Sequence, residues 1–96
     1  RGENISSYVC GGCITSGSTV RRSIIGPRCK INSFSLVEDS ILFNSVEIGR
    51  HVRIKRAIID EGLRIPEGTE IGYNHEADRA HGYTVTESGI VIVTKS

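Results

Sequence analysis

The chain has 96 residues, a formal charge of +1 and 5% aromatic residues. This length allows one small domain, and so few aromatic side chains disfavour a platform for stacked bases. Because the basic residues also do not cluster in one part of the sequence, we expect no nucleic-acid partner. No apolar run approaches the length of a membrane span and no secretory signal is visible, so we expect a cytoplasmic protein without a membrane partner.

Apolar residues recur with a period of 17 positions from the N-terminal region to about residue 72. Three columns of apolar anchors follow, spaced six, six and five residues apart: Tyr8, Ile25, Leu42 and Ile59; Ile14, Ile31, Ile48 and Ile65; and Val20, Val37, Ile54 and Ile71. Three anchors per unit are typical of the three short sides of a solenoid coil, which buries its inner face against neighbouring coils.

The period predicts an all-β protein, a left-handed parallel β-helix of the hexapeptide type with 17-residue coils. The left-handed form usually accompanies this spacing, as an exception to the right-handed crossover rule. The alternative is an antiparallel sandwich of short alternating strands. Such a sandwich would not explain a period that is held across three units.

Two further kinds of column support the β-helix. Small residues fill two columns, as tight coil corners require: Ser18, Ser35, Val52 and Thr69; and Ser6, Ser23, Ser40 and Ala57. Charged residues fill three columns that should face water: Arg21, Glu38 and Lys55; Arg22, Asp39 and Arg56; and Lys30, Glu47 and Arg64.

In chain order, residues 1–7 are predicted to be a linker or an incomplete first coil, 8–72 the β-helix, and 73–96 a C-terminal capping extension. The extension includes a helical turn at about 76–80 and ends in an apolar strand at 89–94. We expect this tail to fold back onto the solenoid. The sequence contains no Met and starts at Arg1, so we also expect a piece of a longer protein.

The three cysteines do not form a disulfide framework. Cys10 and Cys13 form a CxxC pair, for which a redox motif or half of a zinc site is the functional interpretation. Without a second CxxC pair, the structural interpretation is favoured, with Cys10 in a turn, Cys13 pointing outward and Cys29 a small core residue. A reducing compartment is the simplest setting.

No complete catalytic or metal-binding constellation is found in the sequence. A histidine could serve as a general base or, with two partners, as a metal ligand. His51 shares its column with no other histidine, and His75 and His81 lie in a polar tail, so we predict exposed histidines with a structural role. We therefore assign no catalytic residue, no metal ligand and no cofactor to this chain.

The basic residues are the remaining candidates for ligand binding. Arg21 and Arg22 occupy the same columns as Lys55 and Arg56, two coils further on. These side chains could face a phosphorylated ligand or an acidic partner. The favoured alternative is a solvated face on which the acidic residues of the intervening coil, Glu38 and Asp39, balance the basic ones.

An ordered set of segments carries a resemblance to a known family. The segments are VCGGCITSGS at 9–18, VEIGR at 46–50, AIID at 57–60, IPEG at 65–68, IG at 71–72 and GIVIVT at 89–94. Together they resemble the C-terminal domain of bacterial glucose-1-phosphate adenylyltransferase (ADP-glucose pyrophosphorylase). The resemblance covers nearly the whole chain.

The resemblance implies a parent enzyme that converts ATP and glucose 1-phosphate to ADP-glucose and pyrophosphate, with Mg²⁺, in glycogen synthesis. Catalysis would belong to an N-terminal domain that these residues do not include. The chain would act as a regulatory and oligomerisation domain, pack on that catalytic domain and help to build a homotetramer. A phosphorylated metabolite would be the effector, with Lys95 and Arg56 as its candidate contacts, whereas Glu61 stands where some relatives carry Arg.

Two alternatives of other classes stay open at this point. The first is a small hexapeptide-repeat acyltransferase that uses His51 as a general base at a subunit interface. Such enzymes usually have more coils and an insertion that loops out, which this sequence lacks. The second alternative is a non-catalytic β-helix that serves only as an assembly scaffold.

Overall fold

The computed structural model describes residues 3–5, 7–9, 11–15 and 17–94, which form a β-solenoid of short stacked strands with one short helix. The strands are β1 Glu3–Ile5, β2 Tyr8–Val9, β3 Thr19–Arg21, β4 Ile24–Ile25, β5 Lys30–Ile31, β6 Leu36–Glu38, β7 Ile41–Leu42, β8 Glu47–Ile48, β9 Arg53–Lys55, β10 Ala57–Ile59, β11 Arg64–Ile65, β12 Glu70–Ile71, β13 Thr84–Val85 and β14 Val91–Val93. The helix is α1 His75–Ala80.

The strands stack into three sheets, one for each side of the coil. Sheet A has the order β1-β3-β6-β9-β12, sheet B the order β2-β4-β7-β10-β14-β13, and sheet C the order β5-β8-β11. Every pairing is parallel except that of β13 with β14. Val37 lies opposite Val20 and Ile54, and Ile71 lies opposite Ile54. The predicted fold and the 17-residue spacing are therefore confirmed over these coils.

The core is a single column of inward-facing apolar side chains. Successive side chains on a strand point to opposite faces, so β6 turns Val37 inward, whereas β10 and β14 each turn two residues inward. Val20, Ile31 and Ile59, one from each sheet, are fully buried, as are their partners Val37, Ile48 and Leu42 in neighbouring coils. The predicted anchors from Val20 onward are therefore correct.

The predicted register is wrong for the first coil, where the spacing is 16 residues. Tyr8 lies opposite Ile24, and Ile14 lies opposite Lys30. Val9 therefore takes the inward position beside Ile25, while Tyr8 and Ile14 are 67% and 52% exposed. The sequence has one residue fewer between Ile14 and Thr19 than between their partners Lys30 and Leu36. The 17-residue spacing is in place at β3, where Thr19 lies opposite Leu36.

Serine hydroxyls link the coils at the corner between sheets A and B. Ser23 N–H donates to Ser7 Oγ at 3.1 Å, Ser40 N–H to Ser23 Oγ at 3.1 Å, and Ala57 N–H to Ser40 Oγ at 3.2 Å. Ser7 thus occupies the position predicted for Ser6, which lies outside the described residues. The sequence predicted only that these small residues fit a tight corner. In the structure their hydroxyls also form hydrogen bonds between neighbouring coils.

Cys13 points into the solenoid, contrary to the prediction that it faces water. The 16-residue spacing aligns Cys13 with Cys29, and both side chains pack with the core. Each thiol donates to a backbone carbonyl at 2.9 Å, Cys13 to Gly26 and Cys29 to Phe43. Cys29 is buried as predicted, whereas Cys10 lies outside the described residues.

The C-terminal part returns to the solenoid after α1. The Asn74 side chain caps this helix by accepting from Glu76 and Ala77 N–H, and the helix agrees with the predicted turn at 76–80 except that it begins at His75. The predicted final strand is shorter than 89–94, since β14 spans Val91–Val93. It pairs with β10 and forms the next rung of sheet B. No helix in the described residues has the length and apolar character to span a bilayer.

Candidate effector-binding site

Arg56, one of the two candidate effector contacts, lies at the coil corner between β9 and β10. The same corner in the two preceding coils holds Arg22 and Asp39, and all three residues have positive φ, at 48°, 49° and 52° in chain order. Backbone bonds stack the corners, with Asp39 N–H donating to Arg21 O and Arg56 N–H to Glu38 O, both at 3.0 Å. The corner therefore forms a ladder of outward-pointing charged side chains.

Two members of this ladder neutralise each other. Arg22 donates to both carboxylate oxygens of Asp39, from Nε at 2.7 Å and from Nη2 at 3.2 Å. This hydrogen-bonded pair lowers the pKa of Asp39 and raises that of Arg22. In the next column Arg21 lies 3.6 Å from Glu38. The predicted balance of charge between neighbouring coils is thus confirmed for Arg21 and Arg22.

Arg56 has a different partner. Its Nη2 donates to the carbonyl of Ser88 at 2.7 Å, in the turn between β13 and β14, and no ion pair of Arg56 is found within the described ranges. The guanidinium thus bonds to a neutral carbonyl, and after Arg22 it also helps to lower the pKa of Asp39. Beside it runs a shallow groove of ≈ 200 Å³, lined by Asp39, Ile41, Arg56, Ala57, Ile58 and Ile90.

Among the described residues, Arg56 is the basic residue that lines this groove. Lys55 Nζ lies 6.0 Å from the centre of the Tyr73 ring, over which the Arg53 guanidinium is placed at 4.5 Å. Lys95, the second candidate contact, lies outside the described residues. That Arg56 contacts an effector therefore stays a prediction. The structure does define where its side chain lies.

The three histidines have different surroundings. His51 is exposed and stacks on Phe34, with ring centroids 5.0 Å apart, and His81 stacks on Tyr83 at 5.6 Å. His75 is half-buried against Gly89, so the prediction of a solvated side chain is wrong for it. Among the described residues no group of three His, Cys, Asp or Glu side chains is placed to hold a metal ion.

Sequence reasoning missed an apolar row on the outer face of sheet B. Backbone pairing aligns one outward-facing residue from each of five strands: Tyr8, Ile24, Ile41, Ile58 and Ile92. Ile24 is 51% exposed, and the next three are half-buried. The signal was present in the sequence, because each inward anchor of this sheet follows another large apolar residue.

Short parallel strands stacked around small-residue corners define a β-helix of the hexapeptide-repeat class. The family model described as "GlmU-like, C-terminal hexapeptide" matches residues 1–93, and the chain belongs to this family. The family assignment agrees with the fold that the 17-residue period predicted.

Curated relatives are named glucose-1-phosphate adenylyltransferase. The chain is 73% identical over 95 residues to the protein of Trichlorobacter lovleyi and 69% identical over 94 residues to that of Geobacter metallireducens, alignments that cover 99% and 98% of the chain. It is 48% identical over its whole length to the protein of Deinococcus deserti. The chain spans only 23% of the length of each of these three relatives.

Proposed function

We propose that this chain is the C-terminal regulatory and oligomerisation domain of a glucose-1-phosphate adenylyltransferase. The observation that carries the proposal is the identity of 73% across 99% of the chain, to a relative of which the chain spans 23%. The parent enzyme would form ADP-glucose and pyrophosphate from ATP and glucose 1-phosphate. Catalysis, with Mg²⁺, would belong to the remaining part of such a protein.

The apolar row of sheet B supports a docking role. Parallel sheets are usually covered on both faces, and a continuous exposed apolar patch marks an interaction surface. We assign this face to the N-terminal catalytic domain of the same protein, within a homotetramer. The charged outer faces of sheets A and C would stay in water, where ion pairs such as Arg53–Glu70 at 3.1 Å are formed.

The regulatory part of the proposal concerns Arg56. A guanidinium binds phosphate groups through several N–H donors in a planar fork, and that of Arg56 is exposed, oriented by Ser88 and without an ion pair in the described part of the chain. A phosphorylated metabolite is the proposed effector. Effector binding would alter catalysis only by changing the contact between this domain and the catalytic domain. The size of the effect would be the coupling free energy between the effector site and the active site.

A domain exchange tests the function. This chain replaces the corresponding segment of the Trichlorobacter lovleyi enzyme, and ADP-glucose formation and the mass of the assembly are measured. We expect an active, magnesium-dependent oligomer. A folded chimera of native mass that forms no ADP-glucose, although the unaltered relative does, would overturn the proposal.

Variants of the apolar row test the docking face in the same chimera. We expect the double change Ile24→Lys and Ile58→Lys to weaken assembly and activity, because it places two charges in a desolvated contact. Leu36→Lys is the matched control, since Leu36 is also apolar and partly exposed but belongs to sheet A. Equal effects of the two sets would contradict the assignment of this face.

A further inference from the structure

Cys13 and Cys29 occupy matching positions in the first two coils. Ile14 lies opposite Lys30, with Ile14 N–H donating to Cys29 O at 2.9 Å and Ile31 N–H to Ile14 O at 2.7 Å. The two cysteines, one position earlier in each coil, are therefore stacked on each other. With the regular 17-residue spacing Cys13 would lie opposite Lys30 instead, so the pair exists because the first coil is one residue shorter.

The stacking brings the two cysteines within reach of a covalent bond. Neighbouring strands lie about 4.8 Å apart, and disulfides join Cα atoms that are about 4.4–6.8 Å apart. Both side chains point into the solenoid and pack with the same apolar core. Rotation about each Cα–Cβ bond, which breaks the hydrogen bonds from the thiols to Gly26 O and Phe43 O, would bring the sulfurs together.

The two thiols differ in their exposure to solvent. Cys29 is 1% exposed, whereas Cys13 is half-buried and follows the exposed Gly11 and Gly12. An oxidant in solution therefore reaches Cys13 first. A sulfenic acid formed at Cys13 would have the Cys29 thiol beside it in the next coil, which is the arrangement of a reactive cysteine and a resolving cysteine.

We propose that Cys13 and Cys29 form a reversible disulfide that ties the first coil of the solenoid to the second when hydrogen peroxide is present. The Cys13 thiolate attacks one peroxide oxygen, the O–O bond breaks, and Cys13 sulfenic acid and water are formed. The Cys29 sulfur then attacks the Cys13 sulfur, the S–OH bond breaks, and hydroxide leaves as water with the proton of the Cys29 thiol. Two thiols lose two electrons in total, and one hydrogen peroxide is reduced to two waters.

The disulfide would act on the stability of the first coil. A disulfide stabilises a fold mainly by restricting the unfolded chain, so oxidation should hold this coil on the stack. In a reducing compartment the bond would be transient, because thiol reductants return it to two thiols. The inference goes beyond the proposed function and does not depend on it.

Mass spectrometry of the 96-residue chain tests the bond. The chain is treated with hydrogen peroxide, quenched with catalase, unfolded in urea and alkylated with N-ethylmaleimide. We expect one alkylated cysteine instead of three, a mass loss of two hydrogens, and a tryptic product in which residues 2–21 are linked to residues 29–30. Three alkylated cysteines, a bond within residues 2–21 or a bond between two chains would overturn the proposal.

Serine variants identify the bonded pair, because a bond from Cys10 to Cys29 would link the same two fragments. Cys10→Ser should keep the crosslink, whereas Cys13→Ser and Cys29→Ser should each lose it. A crosslink that persists in Cys13→Ser, or one that is lost in Cys10→Ser, would contradict the assignment. Fragmentation of the crosslinked product from the unchanged chain assigns the pair even if a variant does not fold.

Thermal unfolding of Cys10→Ser measures the effect of the bond on stability, because only the proposed pair can then bond within the chain. Oxidation should raise the thermal midpoint by about 5–15 °C, as expected for a disulfide that closes a short loop. Dithiothreitol should return the midpoint to that of the reduced chain. An unchanged or lower midpoint in the oxidised chain would show that the bond does not fit the native coils, and would overturn the proposal.

Discussion

At the scale of single residues, the coil corners require a backbone conformation that L-amino acids avoid. Among the described residues, seven other than glycine have positive φ, including Arg22, Phe34 and Ser45. Each residue in this conformation costs about 1–2 kcal/mol. Hydrogen bonds between coils offset this cost, such as Phe34 N–H to Gly17 O at 3.0 Å and Ser45 N–H to Pro27 O at 2.9 Å.

The Arg22–Asp39 pair predicts how stability depends on pH. Its hydrogen bonds lower the pKa of Asp39 from the ordinary value of 3.8, so the folded state binds a proton less readily than the unfolded state. The contribution is present above pH 3.8 and is lost as the pH falls through the lowered pKa. We expect Asp39→Asn to melt below the unchanged chain at neutral pH and the two to converge in acid, as measured by circular dichroism.

Asparagine is a suitable replacement because it tolerates positive φ. Glu87→Gln removes an exposed carboxylate from the β13–β14 turn and serves as the control. The melting difference between this control and the unchanged chain should vary little over the same pH range. A difference for Asp39→Asn that is as large in acid as at neutral pH would contradict the role of the pair.

Gly72 is predicted to be the more sensitive of two glycines near the end of the solenoid. Both have positive φ, 79° at Gly68 and 89° at Gly72, but a Cβ on Gly72 would collide with the carbonyl of Lys55 whereas one on Gly68 meets nothing within 4 Å. Gly68→Ala should therefore cost about 1–2 kcal/mol from conformation alone. Gly72→Ala should cost about 1–3 kcal/mol more from the clash. Urea denaturation measures both, and equal losses would show that the close approach is unimportant.

At the scale of elements, each strand has only two or three residues and depends on the coil above and below it. Strands of this length are too short to be stable alone. Parallel pairing, inward apolar residues and the serine bonds at one corner hold them in place. The stability of a strand is therefore a property of the stack.

The serine bonds make a testable contribution to this stack. Ser40 is 2% exposed, accepts from Ala57 N–H and donates to Glu38 O at 2.7 Å. Ser40→Ala would leave the Ala57 N–H without its acceptor, so we expect a loss of about 1–3 kcal/mol in the free energy of unfolding. Ser88→Ala, an exposed serine whose backbone alone bonds to Arg56, is the control. Equal stability of the two variants in urea denaturation would refute the role of the hydroxyl.

The final strand is also expected to support the stack. Val91 is fully buried and Val93 is 5% exposed, opposite Ala57 and Ile59 of β10. Ending the chain at Ser88 would expose this edge of sheet B and its apolar neighbours. The thermal midpoint should fall clearly relative to the 96-residue chain, and an unchanged midpoint would rule out a stabilising role for β14.

At the scale of the whole molecule, the three outer faces differ in chemistry. The outer faces of sheets A and C carry ion pairs, among them Arg64–Glu47 at 3.5 Å, while the outer face of sheet B carries the row of large apolar side chains. Under the proposed function, the apolar face would dock the rest of the protein and the two charged faces would stay in water.

Because the proposed function places the nucleotide site in another domain, we predict that the isolated chain binds no ATP at micromolar concentration. The described residues contain no cluster that could hold a metal ion, and the proposal places the nucleotide in another domain. Isothermal calorimetry of the chain with ATP and Mg²⁺ should show no saturable heat. Tight, magnesium-dependent binding of ATP to this chain would refute the proposal that the nucleotide site lies in another domain.

Much of the architecture could be predicted from the sequence alone. The columns of Val20, Ile31 and Ile25 repeat because each coil must bury the same three positions, and this repetition is visible without coordinates. The columns of small residues and of charged residues predicted corners and solvated faces for the same reason. The sequence therefore determined the fold class and the inward anchors from Val20 onward, and it showed no recognisable catalytic motif.

Only the tertiary structure decided the features that depend on register and on contacts distant in sequence. A corner shortened by one residue moved Val9 and Cys13 inward, and the pattern could not show this because Tyr8 is also apolar. The meeting of Arg56, His75 and Gly89 depends on the chain leaving the solenoid after β12 and returning as β14. Periodicity reports what each coil repeats, whereas these three residues lie outside the repeat of the inward anchors, and only folding brings them together.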